Sequence, residues 1–449
     1  MKKEEKNGMN THDLFIKTPP VKLFFTAAVP GAASMLASSL YQLIDGVFVG
    51  RILGETAFAA LNLAMPFVII NFALADLIGV GSSVPISISL GEKKEHAANN
   101  IFTCACIMIV AAGILVGAAL FGLAPLLIRL MGAEGEFAEL AVAYLRVYAL
   151  CSPISTIVFA VDNYLRICGK IRGSMFLNIL MAGLSAVLEF LFLFVFRWGI
   201  WAAALATCLG MMICAVIAFI PFFAGKLRLS FCRPHFSWRL IMRIISCGCP
   251  SFLSNIAGRI TSIIMNIFLV RLGGQTAVSV YGILMYIDGI VQSIMYGMCD
   301  SLQPAVGYNW GAREYRRVRA IEGCCFGASG TVSLLAAAVI FLFPLQTAEL
   351  FMGSGGETLM VMAEAAVRLF ALTYVARWFP FASQSYMLAI EKPIPASVIS
   401  ISISLVFPVI FIAVLWPLGL TGMWLNLAAA SFATAVLSAV ILKKFTVNH

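Results

Sequence analysis

The sequence predicts an all-α membrane protein, with twelve transmembrane helices set out as two parallel six-helix repeats. Three observations predict it. Of the 449 residues, 61% are hydrophobic and only 11% are charged. So sparse a charge cannot keep a soluble surface dissolved, whereas a bilayer takes the apolar faces as solvent. Twelve apolar runs, each long enough to cross a bilayer core of about 30 Å, follow one another along the chain. The second half of the chain also repeats the first at a constant offset.

Residues 1–20 are polar and carry Lys2, Lys3, Glu4, Glu5, Lys6 and Lys17. They hold no apolar core followed by small residues, so no cleaved leader is expected, and they are read as a cytoplasmic tail. The apolar runs then fall at 21–47, 58–90, 100–129, 138–168, 174–196 and 199–223, which together form an amino-terminal lobe over 21–224. A basic segment, 225–239, is the expected cytoplasmic linker. The runs resume at 240–270, 277–306, 319–343, 359–390, 396–415 and 418–442, forming a carboxy-terminal lobe over 240–442 ahead of a short tail at 443–449. Several exceed the roughly twenty residues a bilayer needs, so tilt or extension beyond the membrane is expected.

Charge asymmetry supports this map. With the amino terminus inside, 22 of the 30 Lys and Arg residues fall on cytoplasmic segments. Arg51, Arg129, Arg197 and Arg271 fall outside, and Arg146, Arg259, Arg368 and Arg377 lie within spans. A wrong number of spans would scramble that alternation. Both termini are therefore expected in the cytoplasm, with the chain in the cell's inner (plasma) membrane. The net charge of +9 becomes topological, with anionic inner-leaflet lipid as its counter-charge. Nucleic acid is not an expected partner, because no soluble basic domain exists to bind it.

Sliding the chain by 220 residues pairs Pro30 with Pro250, Ser34 with Ser254, Phe48 with Phe268, Arg51 with Arg271, Gly54 with Gly274, Thr56 with Thr276 and Gly91 with Gly311. A shift of 222 pairs Arg146, Tyr164 and Lys170 with Arg368, Tyr386 and Lys392. Six spans separate the copies. That number is even, so the halves are parallel and related by an axis along the membrane normal. Two such lobes suit alternating access.

Catalytic and metal-binding patterns are missing from the sequence. His12, His96, His235 and His449 lie in loops or termini, and the twelve cysteines lack zinc-ligand spacing and read as reduced thiols packed between helices. No HExxH or GxxxxGK motif occurs, so no enzyme activity, cofactor or resident metal is expected. Ionisable groups inside spans are costly and mark candidate sites. Glu189 sits among Phe and Leu and is the sharpest candidate for carrying an ion, unless it pairs with Arg146 or a neighbouring hydroxyl. Asp45 lies about one and a half turns inside Arg51, and Asp76 lies close to mid-span. Asp162 is placed to pair with Arg166 at i,i+4, as Glu364 is with Arg368. Asp288 is central to its span, either open to a cleft or packed against an arginine of the second half. Asp300 also lies within a span, Glu322 sits near a span end where water is close, and the glycines Gly79, Gly81, Gly113 and Gly117 suit close helix approach.

Three stretches carry a resemblance to a known family. They are Asp45-Gly46-Val47-Phe48-Val49-Gly50-Arg51, then Asn163-Tyr164-Leu165-Arg166 with Gly169, and then Gln303-Pro304-Ala305-Val306-Gly307-Tyr308-Asn309-Trp310-Gly311-Ala312. In this order, and over nearly the whole chain, they resemble the MATE (multidrug and toxic compound extrusion) transporters. The resemblance implies a V-shaped pair of six-helix bundles that export amphipathic, often cationic, organic compounds in exchange for H⁺ or Na⁺. It implies a small-molecule substrate, a lipid surround, a monomer, and no cofactor beyond the coupling ion. It places Asp45 at the family's ion-coupling acid of the first helix, Glu189 where many members have Asp, and Ser185 where they often have Asn. Asp76, Asp162, Asn163 and Asp288 join these as expected ion or substrate residues. Some sodium-coupled members have Glu seven residues after the seventh-helix proline; Ala257 stands there, which tilts the expectation towards protons. Two other readings remain open: a lipid-linked-precursor flippase, which calls for a more cationic cleft, and a non-transport membrane enzyme or subunit.

Overall fold

The computed structural model describes residues 13–352 and 357–446; parts of both expected tails, 1–12 and 447–449, lie outside the described residues. Helices follow one another with no strand among the described residues. The first six spans are α1 (Pro20–Leu53), α2 (Thr56–Gly91), α3 (Glu95–Leu130), α4 (Gly135–Ile167), α5 (Ile171–Val195) and α6 (Ile200–Phe223). The next helical stretch, Trp238–Gly311, is 74 residues long. At 1.5 Å per residue that would reach about 110 Å, several bilayers deep. Gly274 breaks it with φ 62° and ψ −153°, a conformation that glycine adopts without a Cβ clash. The two spans are thus α7 (238–273) and α8 (275–311).

α9 (Tyr315–Leu342) is continuous, and α10 is the pair Leu359–Phe370 and Thr373–Ala389, bent by 46°. The last apolar stretch, Pro393–Phe445, is 53 residues long. It is divided by the 3₁₀ turn Trp416–Leu418 and by Gly419 at φ 59°. This gives α11 (393–415) and α12 (419–445). Twelve spans result among the described residues, because two of the long helical stretches each hold two. The first four run to 34, 36, 36 and 33 residues, longer than the roughly twenty that a bilayer core needs, as tilt or extension requires.

The chain condenses into two compact units. One gathers Ala33–Gly248 and Gly307–Arg313 with the segment ending at Thr18, and the other gathers Pro19–Ala32, Cys249–Val306 and the chain from Glu314 onward. Each unit therefore contains pieces of both sequence repeats. In the first, Ala60, Leu61, Ala64 and Val68 of α2 pack against Tyr144, Leu145 and Tyr148 of α4 and against Ala202, Ala203 and Cys208 of α6. Small residues let the backbones approach, and packing of that kind stands in for the hydrophobic effect where lipid is the solvent. A Cβ at Gly117 would stand 2.5 Å from the Ala149 carbonyl oxygen, and one at Gly113 2.8 Å from Pro153 Cα. Gly79 meets Ala160 and Gly81 meets the Ile244 carbonyl at similarly short range, so all four glycines singled out from the sequence sit at close crossings.

The repeat offset is legible in space. A Cβ at Gly91 would stand 2.1 Å from the Tyr308 carbonyl oxygen, and one at Gly311 2.2 Å from the Ile88 carbonyl oxygen. Positions 88 and 308 are themselves 220 apart, so the ends of α2 and α8 meet about a local two-fold. The motif around Tyr308 also holds the first described residues. Asn309 donates through Nδ2 to the Phe15 carbonyl at 3.0 Å, and the Phe15 and Tyr308 rings lie 5.6 Å apart. From the linker, Arg228 donates to the Tyr308 hydroxyl at 3.2 Å. The linker itself is strapped to α3. Its Ser230 and His235 amides donate to the Asn99 and Asn100 side chains at 3.0 and 2.8 Å.

In the second unit α7 packs on α11 through Ser254 and Ser404, whose hydroxyls are 3.2 Å apart. Tyr296 meets Phe381 edge-on at 4.2 Å between ring centroids. Gln303 donates to Asp300 at 2.8 Å and to the Ser385 hydroxyl at 3.1 Å. That bond ties α8 to α10 inside the first half of the same motif.

Candidate functional site

The first unit brings Asp45 and Glu189 together. Asp45 projects from α1 and is 7% exposed; Glu189 projects from α5 and is fully buried. Their carboxyl groups are near enough to share a hydrogen bond. Asp45 Oδ1 and Glu189 Oε1 are both buried without a hydrogen-bond donor on them. The Tyr41 hydroxyl, one turn before Asp45 on α1, donates to Glu189 Oε2 at 3.4 Å. It also lies 2.6 Å from the Thr207 hydroxyl on α6. The phenols of Tyr144 and Tyr148 on α4 stand within electrostatic reach of Asp45.

No Lys or Arg among the described residues pairs with either acid. Arg146, the partner that would have made Glu189 structural, instead lies over the Phe121 ring at 5.2 Å. Two carboxylates held this close in a low-dielectric setting repel unless a proton or a metal cation sits between them. An adjoining acid pair of this kind can take up one positive charge, and its own charge changes when it does.

Other expected residues fall elsewhere. Ser185 is buried one turn before Glu189 and packs against Gly210 of α6, where an added Cβ would stand 2.1 Å from its hydroxyl. Asp162 is a tie between α4 and α5. It accepts from Arg166 and from the Ser174 hydroxyl, and from Asn178 Nδ2 at 2.7 Å. Arg166 is only 3% exposed and also donates from Nε to Ser174 at 3.0 Å. Asn163 turns back to the Phe159 carbonyl at 3.2 Å. Asp76 is half-buried on α2 and is engaged in an interaction of its own.

In the second unit Asp288 on α8 is fully compensated. Arg377 and Tyr374 of α10 donate to its Oδ1 at 2.9 and 3.0 Å. Gln292, one turn further along α8, donates to Oδ2 at 2.9 Å. Arg368 pairs with Glu364 at 3.0 Å on the same helix. Ala257, seven residues past Pro250, is buried and supplies no oxygen. Among the described residues no cluster of His, Cys, Asp and Glu could hold a metal ion.

The MatE family model matches residues 30–191 and again 250–414. The two matches begin 220 residues apart, at the two repeated prolines. The chain belongs to the MATE family. Over 432 residues it is 23% identical to the multidrug export protein MepA of Staphylococcus aureus, covering 95% of this chain and 94% of the relative. The multidrug export protein MepA of Staphylococcus saprophyticus is 26% identical over 313 residues, covering 69% of this chain and 68% of that protein. A solved MATE transporter in the straight conformation superposes with a TM-score of 0.90 at 24% identity, covering 96% of this chain and 97% of that one. An outward-facing multidrug resistance MATE transporter of the MOP superfamily gives 0.90 at 24% identity, covering 97% of each chain.

Membership makes the chain a multi-span membrane transporter of the MATE fold and not an enzyme. The residues that sequence reasoning missed are Tyr41, whose hydroxyl reaches Glu189, Thr207, which holds that hydroxyl, and the tyrosines 144 and 148 within electrostatic reach of Asp45. Tyr41 carried a signal, standing four residues before Asp45 and so on the same helix face. Thr207, in an alanine-rich run of α6, carried none.

Proposed function

We propose that the chain is a secondary antiporter that exports amphipathic, cationic organic compounds in exchange for a monovalent cation. The observation that carries this reading is the Asp45–Glu189 pair, two adjoining buried acids with no basic partner. One pocket cannot hold both a proton and a cationic substrate's charge comfortably, so loading one disfavours the other. By linkage the reverse holds to the same degree, and exchange follows. The relatives' names support an organic cargo, since MepA is a multidrug export protein.

Ala257 supports protons over sodium, because it offers no ligand where sodium-coupled members carry Glu. Transport would proceed by alternating access of the lobes 21–224 and 240–442, each ligand favouring the state in which it binds more tightly. The chain would act as a monomer in the plasma membrane with both termini in the cytoplasm. The flippase reading is weaker. Of the four in-span arginines, Arg377 and Arg368 are matched by acids and Arg146 lies over a ring. That leaves too little free positive charge for a pyrophosphate.

The test is dye transport in proteoliposomes under an imposed pH or sodium gradient. Wild type should move a cationic dye when the pH gradient is applied, and Glu189→Gln and Asp45→Asn should each slow that movement at least tenfold. Dye movement indifferent to both gradients would sink the antiport reading. Normal exchange by both variants would remove the acids from the coupling site.

A further inference from the structure

The helix α7 presents three different faces. Ala257, Thr261, Met265 and Leu269 are buried at 4%, 4%, 1% and 0% exposure and pack into the second unit. Ile260, Ile263, Ile267 and Val270 are 42%, 61%, 49% and 57% exposed and form an apolar stripe suited to lipid. The third face carries Ser251, Asn255, Arg259, Ser262 and Asn266 at helical spacing. Asn255 and Arg259 are exposed, and Ser251, Ser262 and Asn266 are half-buried. A polar stripe of this kind does not face hydrocarbon; it lines a water- or ligand-filled space.

Arg259 stands in the middle of that stripe and deep in the span. Arg271, at the outer end, is twelve residues away, about 18 Å along the helix. Arg243, at the inner end, is sixteen residues away, about 24 Å. Among the described residues no carboxylate pairs with Arg259; its electrostatic neighbour is the Tyr281 phenol. The nearby acid Asp288 is already matched by Arg377. One further polar group on the stripe also lacks a partner. Asn266 Oδ1, two turns beyond Arg259, is buried with no donor on it. A guanidinium without an anion and an amide oxygen without a donor share one face.

We propose that Arg259 is the anion-recognising residue of a substrate site on α7, and that the preferred cargo is zwitterionic, an amphiphile bearing a carboxylate or sulfonate beside its cationic group. The inference rests on the transport reading above and narrows its substrate class. A guanidinium offers two parallel N–H donors to a planar oxyanion, which a lysine does not. The Asn266 oxygen accepts an N–H of the same ligand. One unmatched arginine suits a single monoanionic group.

A matched dye pair tests it. Rhodamine 110 carries a free carboxylate, a delocalised cation and free N–H groups, and its methyl ester keeps the cation and the N–H groups without the carboxylate. Binding of each to the purified full-length protein is read by fluorescence anisotropy, for wild type, Arg259→Gln and Arg259→Lys. The expected result is at least tenfold weaker binding of the acid by Arg259→Gln, ester affinity unchanged within twofold, and an intermediate loss for Arg259→Lys. Retained ester binding also reports that the variant is folded. Equal loss for both dyes, no loss for either, or a wild type that does not bind the acid each overturns the proposal. If acid-selective binding survives while neither gradient drives dye movement, the antiport reading fails and the anion site stands.

Discussion

The two sequence repeats share a scaffold and differ in chemistry. Pro30 and Pro250, Arg51 and Arg271, and Gly91 and Gly311 keep their register across 220 residues. The last pair even meets in space, each glycine lying against the carbonyl one helical turn before the other. At the same offset Asp45 aligns with Met265, and Arg259 aligns with Ser39. Among the described residues the first repeat thus carries a buried acidic pair with no basic partner, and the second carries Arg259, an arginine within a span with no acid paired to it. Duplication preserved the residues that let helices cross closely and left free those proposed to meet ions and substrates. On the two proposals above, such a transporter keeps one mechanical design while its two halves take opposite charges.

The sharpest way to break this comparison is to show that a tied acid behaves like a free one. Asp162→Asn strands Arg166, which is 3% exposed, without its counter-charge. Removing one partner of a buried pair costs about 3–5 kcal/mol. The variant should unfold at markedly lower detergent or denaturant concentration in an equilibrium SDS titration. Asp288→Asn in the second repeat should cost slightly less, about 3 kcal/mol, since Arg377 retains 19% side-chain exposure. Adding Arg377→Leu should recover most of that loss, because the uncompensated charge is then gone. Asp45→Asn and Glu189→Gln should leave stability level or raise it, for they remove charges that repel. If those two unfold as readily as Asp162→Asn, the division into structural and ion-binding acids is wrong.

A second measurement sharpens the scaffold side. Gly91→Val and Gly311→Val each force a side chain into backbone atoms at 2.1–2.2 Å. Overpacking of this kind costs about 2 kcal/mol, and symmetry predicts similar losses at the two positions. The double variant should lose less than the sum, because both side chains push apart the same crossing. Gly122→Val, on α3 where an added Cβ meets nothing within 4 Å, should be neutral. Unequal losses at 91 and 311 would show that the local two-fold does not bear on stability.

Much of this is readable from residues alone because lipid imposes simple rules. Apolar length, basic loops and the offset between Pro30 and Pro250 predict the spans without any tertiary information. The pairs Asp162–Arg166 and Glu364–Arg368 are also legible, since i,i+4 spacing places both side chains on one face. What spacing cannot supply is a partner on another helix. Asp288 is equally compatible with a cleft until Arg377 and Tyr374 of α10 are seen on it. Glu189 is compatible with Arg146 until that arginine is found over Phe121. Thr207 is invisible, because a hydroxyl in an alanine-rich helix has no pattern that announces its neighbour. Arg259 is visible as an in-span arginine, but spacing alone allows it a partner; only the fold shows that no acid among the described residues pairs with it.

The smallest expected effect is also the most local. Tyr41→Phe removes one hydroxyl, which touches Glu189 at 3.4 Å and Thr207 at 2.6 Å. The ring stays, so packing is kept; of the two bonds lost, the one to Glu189, worth about 1 kcal/mol, is the one that bears on the acid. In the first repeat that bond steadies the acid proposed to carry the coupling ion. The variant should therefore keep its maximal dye-exchange rate within about twofold while the proton concentration needed for half-maximal exchange shifts by about fivefold, the ratio that 1 kcal/mol sets. Thr207→Val should do less, since it leaves the Tyr41–Glu189 contact in place. A purely structural tyrosine would lower the maximal rate and leave the proton dependence where it was. That split between rate and proton affinity decides whether α1 positions the acidic pair or only packs beside it.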